Sequence, residues 1–434
     1  MIKRGLGSLL LIILVLLKVN ILFAFIDPEV TDESEKNEDS VLWEDLSDPF
    51  SSLGQLRDWR QPQFEKSPDF SVPNGLQLQV DFWKRIYSEF SQDQGLLHDT
   101  EDVTIVYGVI SFADINRRSD INKFRKEYLR KKRLDQEKKK VIDVLKKLSQ
   151  MRLPPRPDTQ EYSIYKILNK NNSNQFYKKA STRVRFQLGQ RDKIVQGIYF
   201  SGRYLEEFEK IFEEEGLPKE LTRLPFVESS FNVMARSRVG ASGLWQLMPS
   251  VLKKKERVFK SVDLRNYPQY AARIAARVLK NNYSMLKSWP LAVTGYNHGP
   301  TGVNNLVKRC GSREIIDLAN IKMCKGKRLG FASRNFYPSF LAVLELERNA
   351  STYFGKVFWS SHLDGVEVRL PRKTKVSQIK QWFDENHLMF QLFNPHILGE
   401  ALREKIPVEA GVPIIIPREK LNFVRSSLGS KKNE

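Results

Sequence analysis

Residues 224–249 read LPFVESSFNVMARSRVGASGLWQLMP, and Glu228 is the only acidic side chain in that run; the next carboxylate is Glu256. Gly216 and Pro218 upstream predict that one helix stops and another begins, because proline at a first helical turn forfeits no hydrogen bond. On that helix Leu221, Leu224 and Phe231 mark an apolar stripe, and Glu228 falls inside it. A carboxyl so placed is expected to be desolvated, which raises its pKa and keeps a proton on it near neutral pH. A buried structural glutamate is the plainer account of one such residue, so its surroundings decide.

Those surroundings look like a sugar groove. Gly240 and Gly243 are expected to let a bulky ligand approach the backbone, and Trp245, Gln246 and Met248 to supply stacking and hydrogen-bonding groups. Farther on, AVTGYNHGPTGV at 292–303 sets Tyr296 and Asn297 among glycines, and FASRNFYPSFLAVLEL at 331–346 returns to a helical pattern.

Working outward, the 434 residues allow two or three domains. Lys3 and Arg4 precede an apolar run from Leu9 to Leu17, and a second short run ends near Ala24. Residues 1–26 are therefore expected to direct export to the periplasm or cell envelope, either cleaved or kept as an anchor at the inner membrane. Residues 27–50 hold ten acids against one lysine, and 27–70 are expected to be a disordered linker. The formal charge of +20 becomes +26 on residues 51–434 alone, which suits an anionic envelope polymer. Export argues against nucleic acid, and the basic run 125–140 lacks the aromatic interleaving of single-strand binders.

Helical spacing dominates 71–184: short helices are expected across 76–112, a long one over 120–149 stopped by LPPRP, and more helix through 160–215. Cys310 and Cys324, the only two cysteines, can pair in an exported chain or stay as free thiols. Two cysteines are too few for a zinc site, and no metal or cofactor is expected.

The blocks ESSFNVMARSRVGASGLWQLMPS, TGYNHGPTGV and RNFYPSFLAVLELERN, in that order, resemble those of the soluble-type lytic transglycosylases, especially the membrane-bound murein transglycosylase D branch. The resemblance spans about residues 185–350. It implies a mainly α, lysozyme-like catalytic domain over 185–355, with peptidoglycan as substrate and 1,6-anhydro-MurNAc ends as product. It carries Glu228 over as the single acid/base and Ser237 as the serine beside the glycan's N-acetyl group. Gln246 and Met248 become groove residues, and Tyr296 with Asn297 the tyrosine–asparagine pair. Gly295 departs from the alanine usual there. Residues 364–420, in the order strand, helix, helix, strand, resemble a diverged LysM module with Asn394 at its asparagine, and 421–434 read as a basic tail. A goose-type lysozyme, which adds water, and a silent peptidoglycan-binding scaffold are the alternatives. The protein is expected to act as a monomer.

Overall fold

A computed structural model describes residues 67–168, 173–253, 259–319 and 329–429. The expected signal segment and nearly all of the acidic linker lie outside them. The linker ends earlier than expected, because Phe70 is fully buried and its ring packs edge-on against Phe340 at 5.9 Å.

The N-terminal region is not wholly helical. Helix α1 (Gln77–Ser88) buries Val80, Phe82, Trp83, Ile86 and Tyr87. It is followed by strands β1 (Gln94–Asp99) and β2 (Val106–Ser111), and the expected long helix is α2 (Lys123–Leu148). Strand β3 (Val184–Leu188) completes an antiparallel sheet in the order β2–β1–β3, with Leu97 opposite Gly108 and Phe186. The helical expectation over 76–112 and 160–215 is thereby corrected at three places. VYGVIS and VRFQL are short and carry β-branched and aromatic side chains, which long-range pairing turns into strands. α2 covers one face of the sheet with Leu134, Val141, Val144, Leu145 and Leu148.

The central body is helical: α3 (Arg191–Ser201), α4 (Leu205–Glu214), α5 (Leu224–Ser229), α6 (Pro268–Leu286), α7 (Trp289–His298), α8 (Pro300–Cys310) and α9 (Phe331–Arg348). These share one hydrophobic core with α1, so the N-terminal helix belongs to the body rather than to a separate lobe. α4 ends at Gly216, whose φ of 68° is the left-handed stop that glycine tolerates best. Cys310 is in a disulfide, and the chain's only other cysteine, Cys324, lies outside the described residues.

The C-terminal module runs β4 (Gly365–Arg369), α10 (Val376–Lys380), α11 (His387–Phe393) and β5 (Pro413–Pro417), the two strands pairing antiparallel with Glu367 opposite Ile415. The end of the chain differs from expectation: residues 421–429 are helix α12 (Leu421–Gly429), with Val424 fully buried in the module's core. That core also takes in Val262, Leu264 and Tyr267 of the central body.

Candidate active site

Glu228 stands on the last turn of α5, a six-residue helix that begins with Leu224–Pro225. Arg223, just before it, is fully buried and ion-paired to Glu347 of α9 and Glu209 of α4, which fixes where α5 starts. The helix does not continue to Phe231, as the apolar stripe predicted. Ser230 and Phe231 both take positive φ, 51° and 56°, and their N–H groups close back on Phe226 and Pro225. Phe231 reaches the core through that reversal, packing at 4.7 Å on Phe226. Two non-glycine residues in the left-handed region, two and three positions past Glu228, are a local conformational strain.

The Glu228 carboxyl is partly buried and makes no hydrogen bond or ion pair among the described residues. Burial alone pushes its pKa up to about 8, with no charged neighbour contributing. The small accessible area and the large shift agree if the group sits at the floor of a narrow opening. Two tyrosines feel its charge. Tyr296 of α7 is raised well above the ordinary tyrosine range, by burial first and Glu228 second. Tyr87 of α1 is raised as well, by burial foremost, while a hydrogen bond to Ser339 lowers it and Glu228 adds to the rise.

The loop after α5 is knitted by its own backbone. Gly240 N–H donates to the Ser237 carbonyl, and Ser237 N–H donates to the Ala241 carbonyl, each at 2.9 Å. The Ser237 hydroxyl accepts from Ala241 N–H at 2.9 Å, which leaves its own proton free to donate. Gly240 is exposed, has a φ of 91°, and a Cβ there would meet nothing. Gly243 does not open space for a ligand, as expected of it. Its Cβ would lie 2.3 Å from the Arg265 carbonyl, so it is a close backbone contact. Arg265 holds the loop from outside, donating to the carbonyls of Gly240 at 2.5 Å and Leu247 at 2.9 Å.

Other expected groove residues divide. Trp245 is fully buried and stacks on Phe212 at 5.4 Å, so it belongs to the core; its carbonyl accepts from the Tyr296 hydroxyl at 2.8 Å. Gln246, at a φ of 42°, donates its amide to the Ala235 and Gly243 carbonyls at 3.0 and 2.9 Å. Met248 is partly exposed where a short turn, Pro249–Val251, begins. Tyr296 is partly exposed, whereas Asn297, expected on the groove surface, has no exposed area and neither amide atom has a partner among the described residues. One residue along a helix is about 100° around it, so Asn297 turns behind the wall that Tyr296 faces. Gly295 has a packing reason: a Cβ there would come within 3.1 Å of Leu286 and 3.3 Å of Pro300.

Sequence reading missed Tyr87, Ser339 and Arg265. Tyr87 reaches Ser339 because α1 packs against α9, and no local motif announces it. Among the described residues no cluster of His, Cys, Asp and Glu could hold a metal ion.

Residues 207–318 match the Transglycosylase SLT domain model. Over 222 residues the chain is 22% identical to the membrane-bound lytic murein transglycosylase D of Escherichia coli strain K12, covering 50% of this chain and 47% of that protein. The chain thus spans about half the length of that relative. Among solved structures, the 70 kDa soluble lytic transglycosylase of Escherichia coli aligns with 52% of this chain and 44% of its own, at 15% identity and a TM-score of 0.30. An inactive mutant of the lytic transglycosylase Slt from Pseudomonas aeruginosa aligns with 57% of this chain and 37% of its own, at 17% identity and a TM-score of 0.24. The matching segment, 207–318, carries Glu228, Ser237 and the Tyr296–Asn297 pair, so the candidate site lies within the stretch that is similar to the transglycosylase SLT domain.

Proposed function

We propose that the chain is a peptidoglycan lytic transglycosylase, cleaving the β(1→4) bond between MurNAc and GlcNAc without water and leaving 1,6-anhydro-MurNAc ends. The observation that carries this reading is a lone carboxyl, Glu228, raised to about 8 by burial with no second charge beside it among the described residues. Glycosidases of the common kinds need two carboxyl groups, and substrate-assisted ones do with one. At neutral pH Glu228 holds a proton and gives it to the glycosidic oxygen as the C1–O bond breaks. The N-acetyl oxygen of MurNAc shields the anomeric carbon, and Ser237, with its hydroxyl proton free, donates to that group. Glu228, now a carboxylate, takes the proton of the same sugar's 6-hydroxyl, whose oxygen bonds to C1. The acid ends as it began, and no water is consumed.

Gln246 and Met248 line the groove in this reading, Gly240 leaves its rim open, and Tyr296 supports the acid. Asn297 acts as a positioning residue from behind. Export through residues 1–26 brings the enzyme to its substrate, and the C-terminal module is a LysM-like accessory to glycan binding. Asn394 there has a structural task, since its amide pairs with both backbone groups of Ile415 at 2.8 and 2.9 Å.

Digestion of purified sacculi followed by mass spectrometry tests the reaction. Anhydro ends are expected from the wild type, and Glu228→Gln should lose at least about a hundredfold in rate while folding normally. Reducing ends in place of anhydro ends would identify a hydrolase.

A further inference from the structure

The outer face of α3 carries a cavity of about 480 Å³, lined by Gln92, Arg191, Asp192, Gln196, Tyr199 and Phe200 among others. It is open toward solvent, a shallow depression rather than an enclosed pocket. None of the candidate active-site residues lines it. The opposite face of α3 is core: Ile194 and Ile198 are buried, and a Cβ on Gly197 would lie 3.0 Å from the Ser230 carbonyl, in the turn that follows Glu228. The cavity and the acid therefore lie on two sides of one helix, roughly 10–12 Å thick.

The lining has the chemistry of a sugar contact. Tyr199 presents a partly exposed ring held in place from behind: Arg203, 2% exposed, sets its guanidinium 5.8 Å from that ring and 4.5 Å from Phe200. The Tyr199 carbonyl accepts from Ser360 N–H at 2.8 Å, which pins the backbone beneath it. Gln196 is exposed, and its amide has no partner among the described residues. Among the described residues Asp192 accepts only from the Gln92 N–H at 2.9 Å, and Arg191 lies over the Phe354 ring at 5.8 Å without a carboxylate partner. One cation beside one anion leaves the site near neutrality, which disfavours a charged ligand. Donors, acceptors and a fixed aromatic face together fit the hydroxyls, acetamido group and ring face of a neutral amino sugar.

We propose that this cavity is a second saccharide site, taking one or two N-acetylated amino sugars of a glycan strand and holding the polymer beside the cleft that cuts it. The identity of that strand rests on the proposed reading of the substrate. The site adds affinity for long strands by making the second contact intramolecular.

Gln196 is exposed, so Gln196→Trp should fill the cavity without disturbing the fold, and an unchanged unfolding midpoint verifies this. Isothermal calorimetry of the full chain with a chitin tetrasaccharide should show one equivalent fewer bound by Gln196→Trp than by the wild type. In the Glu228→Gln background, which is not expected to cut sacculi, adding Gln196→Trp should lower affinity for sacculi about tenfold, the effect of losing one modest contact. The same number of equivalents with the same Kd in both proteins, or undiminished sacculus binding, overturns the proposal. Binding is read without turnover, so a failure to find anhydro ends would remove the proposed activity and leave this result standing.

Discussion

At the scale of single residues, the raised pKa of Glu228 has two consequences of known sign. In its proposed role of general acid it must be protonated, so kcat/KM should fall about tenfold per pH unit above about pH 8, read from a pH–rate profile. The same shift works against stability. Between its ordinary pKa of 4.5 and about 8 the folded protein holds a proton that the unfolded chain has released, so folding weakens as pH rises through that window and levels off above it. Glu228→Gln removes this dependence. Denaturant unfolding should find the variant more stable than wild type at pH 9 by on the order of 1–3 kcal/mol, after allowing for partial solvent access, compared with their difference at pH 4. The two loop glycines differ in the same measurement. Gly240→Ala meets only an unfavourable φ and should lose about 1–2 kcal/mol. Gly243→Ala adds a collision with the Arg265 carbonyl and should lose about 2–4 kcal/mol.

Among elements, the contact of α1 with α9 matters most for the site. Trp83 donates to Asn335 at 3.0 Å, and Tyr87, one turn on, meets Ser339 and the field of Glu228. Tyr87→Phe keeps the ring and removes the hydroxyl. The loss of one buried hydrogen bond should lower stability by about 1 kcal/mol. With one polar neighbour fewer for its charged form, Glu228 should titrate higher, so the alkaline limb of the pH–rate profile moves up. An unmoved limb would make Tyr87 a packing residue only. α5 shows why a stripe on paper can mislead: Phe231 continues its periodicity, yet two left-handed residues end the helix first.

The whole molecule is held together by a joint between the central body and the C-terminal module. Val262 bridges to Ile397, the Asp263 N–H donates to the His396 carbonyl at 2.9 Å, and Glu409 accepts from the Ser261 hydroxyl and the Lys260 N–H. Tyr267 stacks on His396 at 4.9 Å and donates to Glu367 at 2.8 Å. Deleting residues 364–434 would expose Val262, Leu264 and Tyr267 and leave those strand-like backbone groups unpaired. Thermal unfolding of the truncated protein should show a midpoint lower by about 5 °C or more. An unchanged midpoint would mean the module is only tethered.

Local patterns in the sequence determined the isolated acid, the stop at Gly216, the long α2 and the strand–helix–helix–strand order of the C-terminal module. Each depends on spacing or on a backbone preference within a few residues. Tertiary structure decided the rest. β3 pairs with β1 across more than eighty residues, so no window along the chain could separate those strands from helix. Trp245 and Gly243 look like groove residues in a row of letters, and only packing against Phe212 and Arg265 assigns them to the interior. Tyr87 joins the acid from a distant segment, because desolvation depends on everything that surrounds a group in space and not on what precedes it in the chain.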